Sequence, residues 1–350
     1  DIGFVPYRDS FTIEKKDEAG HPLEGVSFTI YGPFAPGTAG SKTAADLNTA
    51  NTVWSGETDG NGRIVLDDQL LYLMDYIIVE DEALDGYTLD DAEADGFDPI
   101  SISGKTGWIL PAGTVSESGT QDAEGNALYQ PKITVINSYE KGSLKLAKVD
   151  STDADEMLAG AKFTLEATPV TENGVADSTF AGSAAEFVAK VNNDTSWQTA
   201  AGVSGVTASS TTDKLTMEFT LDSGSADFGQ ILPRGNYTLT ETKAPAGYTG
   251  DSTPKSFTID KDGDQADFTG DEAIKNTPQY FALQKITEEN GEPLSGATFN
   301  LYRAEDTEKT DPLWGSNGKT TGSDGLITFT MTGLSANTPY VLSETAAPSG

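Results

Sequence analysis

The sequence predicts an all-β chain of three β-sandwich domains in tandem, the third lacking its final strand. Three observations carry this reading. One strand-turn-strand motif occurs three times, a second strand block follows it each time, and short apolar runs alternate with Gly, Asp and Asn turns while helical stretches are few. The opening motif reads Phe11-Thr-Ile-Glu-Lys15 leading to Pro22-Leu-Glu-Gly-Val-Ser-Phe-Thr-Ile30. It returns as Leu144-Lys-Leu-Ala-Lys148 leading to Leu158-Ala-Gly-Ala-Lys-Phe-Thr-Leu165, and as Phe281-Ala-Leu-Gln-Lys285 leading to Pro293-Leu-Ser-Gly-Ala-Thr-Phe-Asn-Leu301.

The second block is Tyr76-Ile-Ile-Val-Glu80 before Gly86-Tyr87, then Tyr237-Thr-Leu-Thr-Glu241 before Ala244-Pro-Ala-Gly-Tyr248, then Tyr340-Val-Leu-Ser-Glu344 before Ala347-Pro-Ser-Gly350. A third block closes the first two repeats, Ile133-Thr-Val-Ile-Asn137 and Ala273-Ile-Lys-Asn276, and the third repeat has no counterpart. This register sets the domains at residues 1–140, 141–278 and 279–350. The second domain carries a long insertion at 166–218, in which Ala184-Ala-Glu-Phe-Val-Ala-Lys-Val191 is expected to form a short helix. Short strands at such spacing, joined by turn residues, are those of immunoglobulin-like sandwiches.

Composition narrows function. Of 350 residues, 36% are hydrophobic, enough for two or three domains each with a modest core. Lys and Arg total 22 against 55 Asp and Glu, a formal charge of -33, so a nucleic acid finds no cationic surface on which to release counterions. Zero cysteines remove disulfides, thiol nucleophiles and thiolate metal sites. The single histidine, His21, falls in a polar turn, which argues against a Ser-His-Asp triad and against any enzyme acting on an external substrate. No apolar run reaches the roughly 18 residues that span a bilayer. A chain opening on Asp1 reads as a mature or excised piece.

The chemistry lies in the strand alternation. Residues two apart share a face, so Lys15 follows Phe11 and Ile13 inward, Lys148 follows Leu144 and Leu146, and Lys285 follows Phe281 and Leu283. Glu80, Glu241 and Glu344 share the faces of Tyr76 and Ile78, Tyr237 and Leu239, and Tyr340 and Leu342; Asn137 follows Ile133 and Val135, and Asn276 follows Ile274. A single lysine at a strand end usually snorkels to water. Three apolar-face lysines, each with an apolar-face glutamate, must pair, neutralise or react, because an unpaired buried charge costs several kcal/mol. A plain buried Lys-Glu ion pair is one outcome. The other is reaction: desolvation favours a neutral amine beside a neutral carboxylic acid, the amine can attack an asparagine carboxamide, and the acid can pass the proton to departing ammonia. Proximity within a folded domain supports such a step.

The inward Lys at the end of the first strand, the Leu-x-Gly-Ala-x-Phe second strand, the Tyr-x-Leu-x-Glu-Thr-x-Ala-Pro-x-Gly-Tyr block and the terminal Asn resemble the Cna B-type domains of Gram-positive pilins and adhesins. Glu241-Thr-Lys-Ala-Pro-Ala-Gly-Tyr248 is the best match, whereas the first repeat reads Glu80-Asp-Glu-Ala-Leu-Asp-Gly-Tyr87, without the Thr and Pro. The resemblance implies that Lys148 joins Asn276 with Glu241 as catalyst, and that Lys15 joins Asn137 with Glu80. Lys285 and Glu344 lack an asparagine here, which either lies beyond Gly350 or comes from another strand. It further implies an extracellular, cell-wall-anchored pilus or adhesin stalk that needs no cofactor and is joined to other pilin subunits by sortase. The alternative is a tip or adhesin that binds a host protein or glycan through residues 90–128 and 166–218.

Other motifs are weaker. Leu110-Pro-Ala-Gly-Thr114 has the letters of a sortase signal in the wrong order and reads as a turn. Tyr139-Glu-Lys141 and Tyr129-Gln-Pro-Lys132 are candidate inter-subunit acceptors, set against ordinary exposed linker lysines. Asp260, Asp262 and Asp264 alternate as in a calcium loop but lack the glycine an EF-hand needs at its sixth position, so a charged hairpin turn is favoured over a metal site. The acidic run Asp90-Asp-Ala-Glu-Ala-Asp95 reads as a solvated loop.

Overall fold

The computed structural model describes residues 8–94, 97–102, 105–114, 132–331, 334 and 338–348. Residues 8–139 contain β1 (Arg8–Asp17), β2 (Ser27–Phe34), β3 (Thr52–Glu57), β4 (Arg63–Leu71), β5 (Asp75–Glu80), β6 (Tyr87–Ala94), β7 (Pro99–Ile102), β8 (Lys105–Leu110) and β9 (Lys132–Tyr139). They form two sheets, β4-β1-β9-β6 and β3-β2-β5-β8-β7. The first and last strands, β1 and β9, lie side by side in parallel, with Lys15 opposite Val135 and Asp17 opposite Asn137. The core is the alternation read from the sequence: Phe11, Ile13, Ile64, Leu66, Ile133 and Val135 from one sheet meet Phe28, Ile30, Tyr76, Ile78, Trp108 and Leu110 from the other. The strand that carries Glu80 is buried on both faces, because Ile77 and Val79 pack under Phe34 and Ala39.

Residues 141–278 contain β10 (Lys141–Asp150), β11 (Lys162–Thr168), β12 (Thr171–Glu172), β13 (Val175–Ala176), α1 (Phe180–Asn193), α2 (Thr195–Ala201), β14 (Val203–Ser210), β15 (Leu215–Leu221), β16 (Ser225–Pro233), β17 (Gly235–Lys243), β18 (Tyr248–Thr249), β19 (Lys255–Ile259), β20 (Gln265–Phe268) and β21 (Ile274–Pro278). One sheet runs β16-β10-β21-β18 with β20 also on β10, and the other β14-β15-β11-β17-β19. The parallel pairing of first and last strands recurs, with Lys148 opposite Ile274 and Asp150 opposite Asn276.

The expected helix in the insertion is longer than Ala184–Val191. Phe180, Ala184, Phe187 and Val191 recur every three to four residues and are buried against the sandwich. Asp194 accepts the Trp197 N–H at 2.9 Å to start α2, and Gly202, with φ of 76°, ends it. The insertion is therefore built into the second sandwich.

Arg234 stands where the first two sandwiches meet. Its guanidinium reaches Asp85 at 2.7 Å, Asp260 at 3.3 Å, Asp177 at 3.7 Å and Glu140 at 3.9 Å.

Residues 280–346 contain β22 (Tyr280–Gln284), β23 (Thr298–Arg303), β24 (Lys319–Thr320), β25 (Leu326–Thr330) and β26 (Tyr340–Ala346). Their sheets are β22-β25 and β24-β23-β26, so among the described residues no strand lies on the free edge of β22.

Candidate cross-linking sites

The lysine backbone is held the same way three times. Lys15, Lys148 and Lys285 donate their N–H to the carbonyls of Gly62, Gly224 and Gly325 at 2.7, 2.7 and 2.8 Å. Their carbonyls accept the N–H of Leu23, Leu158 and Leu294 at 3.0, 2.8 and 2.9 Å. This explains the Leu-x-Gly motif: the leucine N–H closes on the lysine, and Gly25, Gly160 or Gly296 turns the chain at φ near +80 to +88°. Gly62 and Gly325 are required on a second count, since a Cβ on either would run into the lysine carbonyl. Sequence reasoning missed these carbonyl-bearing glycines, although each stands in a turn at the same point of its repeat.

In the first sandwich, Lys15, Glu80 and Asn137 are wholly buried. The Asn137 Nδ2 donates to Glu80 Oε1 at 2.6 Å, and Lys15 Nζ lies 3.3 Å from Glu80 Oε2 and 3.5 Å from the Val135 carbonyl. Burial pulls the Lys15 amine down to about 8, with Glu80 opposing, and pushes the Glu80 carboxyl up, with Lys15 opposing.

The second sandwich repeats the set more tightly. Lys148 Nζ bonds directly to Asn276 Oδ1 and lies 3.3 Å from Glu241 Oε1, to which Asn276 Nδ2 donates at 2.8 Å. The other Glu241 oxygen accepts the Asp251 N–H at 2.9 Å, so the catalyst candidate is tethered by backbone. Burial also lowers the Lys148 amine, with Glu241 opposing. A depressed amine against a carboxamide that already hydrogen-bonds a carboxyl group is the geometry for acyl transfer to nitrogen.

The third pair differs. Lys285 Nζ meets Glu344 Oε2 at 2.9 Å, with the two side chains 30% and 31% exposed.

Two further residue pairs went unread in the sequence. The aspartate two residues beyond the lysine is buried in both complete sandwiches, and a tyrosine hydroxyl donates to it: Tyr139 to Asp17 at 2.7 Å, Tyr248 to Asp150 at 3.0 Å. The sequence signal is Lys-x-Asp in the first two repeats against Lys285-Ile-Thr287 in the third.

The remaining expectations fall as follows. Asp264 Oδ2 accepts the N–H groups of Asp260 and Lys261 at 2.9 and 3.2 Å, which is a hairpin turn. Asp262 accepts the Lys141 N–H at 3.1 Å. No group of metal-ligating side chains stands among the described residues. Lys141 is taken up by Glu18 and Glu186 at 3.1 and 3.3 Å, and Lys132 by Glu14 at 2.7 Å. Tyr129, Gln130 and Pro131 lie outside the described residues.

Leu110 ends β8 and Thr114 closes a turn onto the Pro111 carbonyl, as read. His21 sits in its turn with its ring 3.1 Å from Asp17 Oδ2. The acidic run is not a loop: Asp90 to Ala94 belong to β6, whose register on β9 breaks after Thr88 and resumes with Glu93 opposite Ile136 and Ala94 opposite Val135. Asp95 lies outside the described residues, as do 115–128 of the expected insertion. Among the described residues, no helix is long and apolar enough to cross a membrane.

Among solved structures the chain is similar to the Bacillus anthracis TIE protein, at 19% identity over 97% of this chain and 45% of that one, with a TM-score of 0.47. It is similar to a streptococcal ancillary pilin, at 21% identity over 77% and 62%, TM-score 0.24. BcpA, the major pilin subunit of Bacillus cereus, gives 15% identity over 98% and 89%, TM-score 0.36. The chain thus spans under half of the first and under two thirds of the second. No curated protein matches it. Residues 9–95, 142–273 and 279–350, most of the chain, match the SpaA prealbumin-like fold domain, and the chain belongs to that family.

Proposed function

We propose that the chain is a structural segment of a bacterial surface pilus or adhesin stalk, locked by intramolecular Lys-Asn isopeptide bonds that form without an external enzyme. The observation that carries this is the Lys148, Glu241 and Asn276 cluster, sealed from water and repeated at Lys15, Glu80 and Asn137. The neutral Nζ lone pair attacks the asparagine Cγ and the Cγ–Nδ2 bond breaks. The glutamate carries the proton from Nζ to Nδ2, and ammonia leaves. One amide per domain then ties first strand to last. Lys285 and Glu344 pair at the corresponding place in the third repeat.

On this reading the domains divide at 140 and 278, and the chain sits outside the cell, anchored to the wall and joined to other pilin subunits by sortase. The alternative role, binding a host protein or glycan, has the exposed hairpin Thr171–Ala176 in its favour, where Val175 is 70% exposed. Intact mass under denaturing conditions tests the main reading. A chain lighter than its sequence by two ammonia molecules is expected, with proteolytic fragments joined at Lys15–Asn137 and Lys148–Asn276. The plain sequence mass would sink it.

A further inference from the structure

A parallel strand pair must be fixed in register for two side chains to meet. A slip of two residues keeps the asparagine on the correct face but carries it roughly 6.6 Å along the strand, out of reach of the amine. Backbone hydrogen bonds alone allow either register.

In both complete sandwiches a second device lies just past the reacting residues. Asp17 is the register partner of Asn137, and Asp150 of Asn276. Tyr139 sits two residues after Asn137 on β9, and its hydroxyl crosses to Asp17 on β1 at 2.7 Å. In the second sandwich the tyrosine comes from a different strand. Tyr248 on β18, opposite Pro278, reaches over β21 to Asp150 on β10 at 3.0 Å, which holds β21 between them.

Both aspartates have both oxygens engaged. Asp17 takes the His21 N–H at 2.8 Å and the Tyr139 hydroxyl, and Asp150 takes the Thr152 N–H and hydroxyl at 2.7 Å each and the Tyr248 hydroxyl. Burial, then the bond to Asp150, pushes the Tyr248 phenol up to about 12, so it remains a donor. Two strands of unlike sequence supply the same bond at the same place. In the third repeat Thr287 replaces the aspartate, and its hydroxyl bonds to Asn290 in the local turn.

We propose that Asp17 with Tyr139, and Asp150 with Tyr248, are positioning pairs that pin the last strand in register, hold its asparagine opposite the lysine and so set the rate of cross-linking. This rests on the isopeptide reading above.

The test uses the full chain, refolded from denaturant and sampled over time. Each bond is quantified by mass spectrometry of its own cross-linked fragment. Tyr248→Phe is expected to slow the Lys148–Asn276 bond by about tenfold or more, since displacement of a reacting group by an ångström can cost that much or more. The Lys15–Asn137 bond of the same molecule keeps its rate, and Tyr139→Phe does the reverse. Asp150→Asn, which can still bond the phenol, recovers most of the rate that Asp150→Ala loses.

Tyr248→Phe and the Asp150 substitutions in a Glu241→Gln background, where the Lys148–Asn276 bond cannot form, and Tyr139→Phe in a Glu80→Gln background, report folding of each sandwich without its cross-link by circular dichroism. The proposal is overturned if Tyr248→Phe cross-links at the parent rate, or if the folded fraction in the Glu241→Gln background falls as far as the rate does. A parent chain that loses no ammonia removes the isopeptide reading and this inference together, an outcome distinct from a parent that cross-links and a variant that does so equally fast.

Discussion

Lys148 and Lys285 occupy the same corner of their respective sandwiches, and the chain holds their backbones alike: the N–H on a glycine carbonyl at 2.7 or 2.8 Å, the carbonyl on a leucine N–H at 2.8 or 2.9 Å. Each side chain meets the glutamate of its own repeat, but the burial around the pair differs. Lys148 and Glu241 are 0% and 1% exposed, whereas Lys285 and Glu344 are 30% and 31% exposed. The missing component is the parallel last strand, β21 in one case and, among the described residues, nothing in the other. The hairpin therefore places the lysine, while the last strand brings both the asparagine and the burial that lowers the amine's pKa.

On the isopeptide reading, the largest expected effect comes from removing the covalent bond of the second site. Asn276→Ala removes the electrophile and leaves the Lys148–Glu241 pair. A cross-link between residues 128 apart withholds about 5 kcal/mol of chain entropy from the unfolded state. The variant should therefore melt on the order of 15 °C lower in calorimetry of the second domain's transition. An unchanged transition would mean that the two sites differ in burial alone.

The next effect asks whether burial without a covalent bond suffices to separate two ion pairs. Arg234 has a side chain only 6% exposed and shares its site with Asp177, at 3%. Arg234→Ala strands that carboxylate and should cost about 3 kcal/mol in urea unfolding. Asp85→Ala removes a partner that is 73% exposed and should cost less than about 1 kcal/mol. Equal losses would show that the junction between the two sandwiches is as wet as the third site.

Much of this was legible in the sequence, and the reason is periodicity. Strand alternation alone sends Lys15, Glu80 and Asn137 inward, because Phe11, Ile13, Tyr76, Ile78, Ile133 and Val135 fix the buried face. The same rule sends Lys285 inward after Phe281 and Leu283, yet Phe281 is 47% exposed. Alternation names a face and says nothing of whether a neighbour covers it. Tyr248 bonding to Asp150 was unreadable for a related reason: the contact joins β18 to β10 across an intervening strand, and 98 residues separate the two. The acidic end of β6 was misread because its composition is that of a loop, while its pairing with β9 is a tertiary fact.

Within the buried class, pH sharpens a difference between the first site and the second. Burial holds the Lys15 amine at about 8 against an ordinary 10.5. In a refolding chain, the Lys15–Asn137 bond should form about tenfold more slowly for each pH unit below 8, as the lone pair is lost to protonation. In Asn137→Ala, which keeps the free amine, the unfolded chain binds more protons than the folded one between about 8 and 10.5. Stability should therefore rise with pH across that window. Urea midpoints at several pH values check the sign, and a fall would mean that Lys15 stays charged when buried. The Lys148–Asn276 bond should lead at every pH, since Lys148 already touches Asn276 Oδ1 while Asn137 Oδ1 has no hydrogen-bond partner.

The smallest effect belongs to the exposed site. Lys285→Ala deletes an ion pair open to water on both sides, which is worth at most about 1 kcal/mol and is screened by salt. The melting transition of the third domain should scarcely move, and at high ionic strength it should not move at all. The backbone bonds to Gly325 and Leu294 survive the substitution, because they use only the main chain. A loss as large as that of Asn276→Ala would show that Lys285 is covered in the folded chain. The contrast between the two lysines would then lie in the missing asparagine alone.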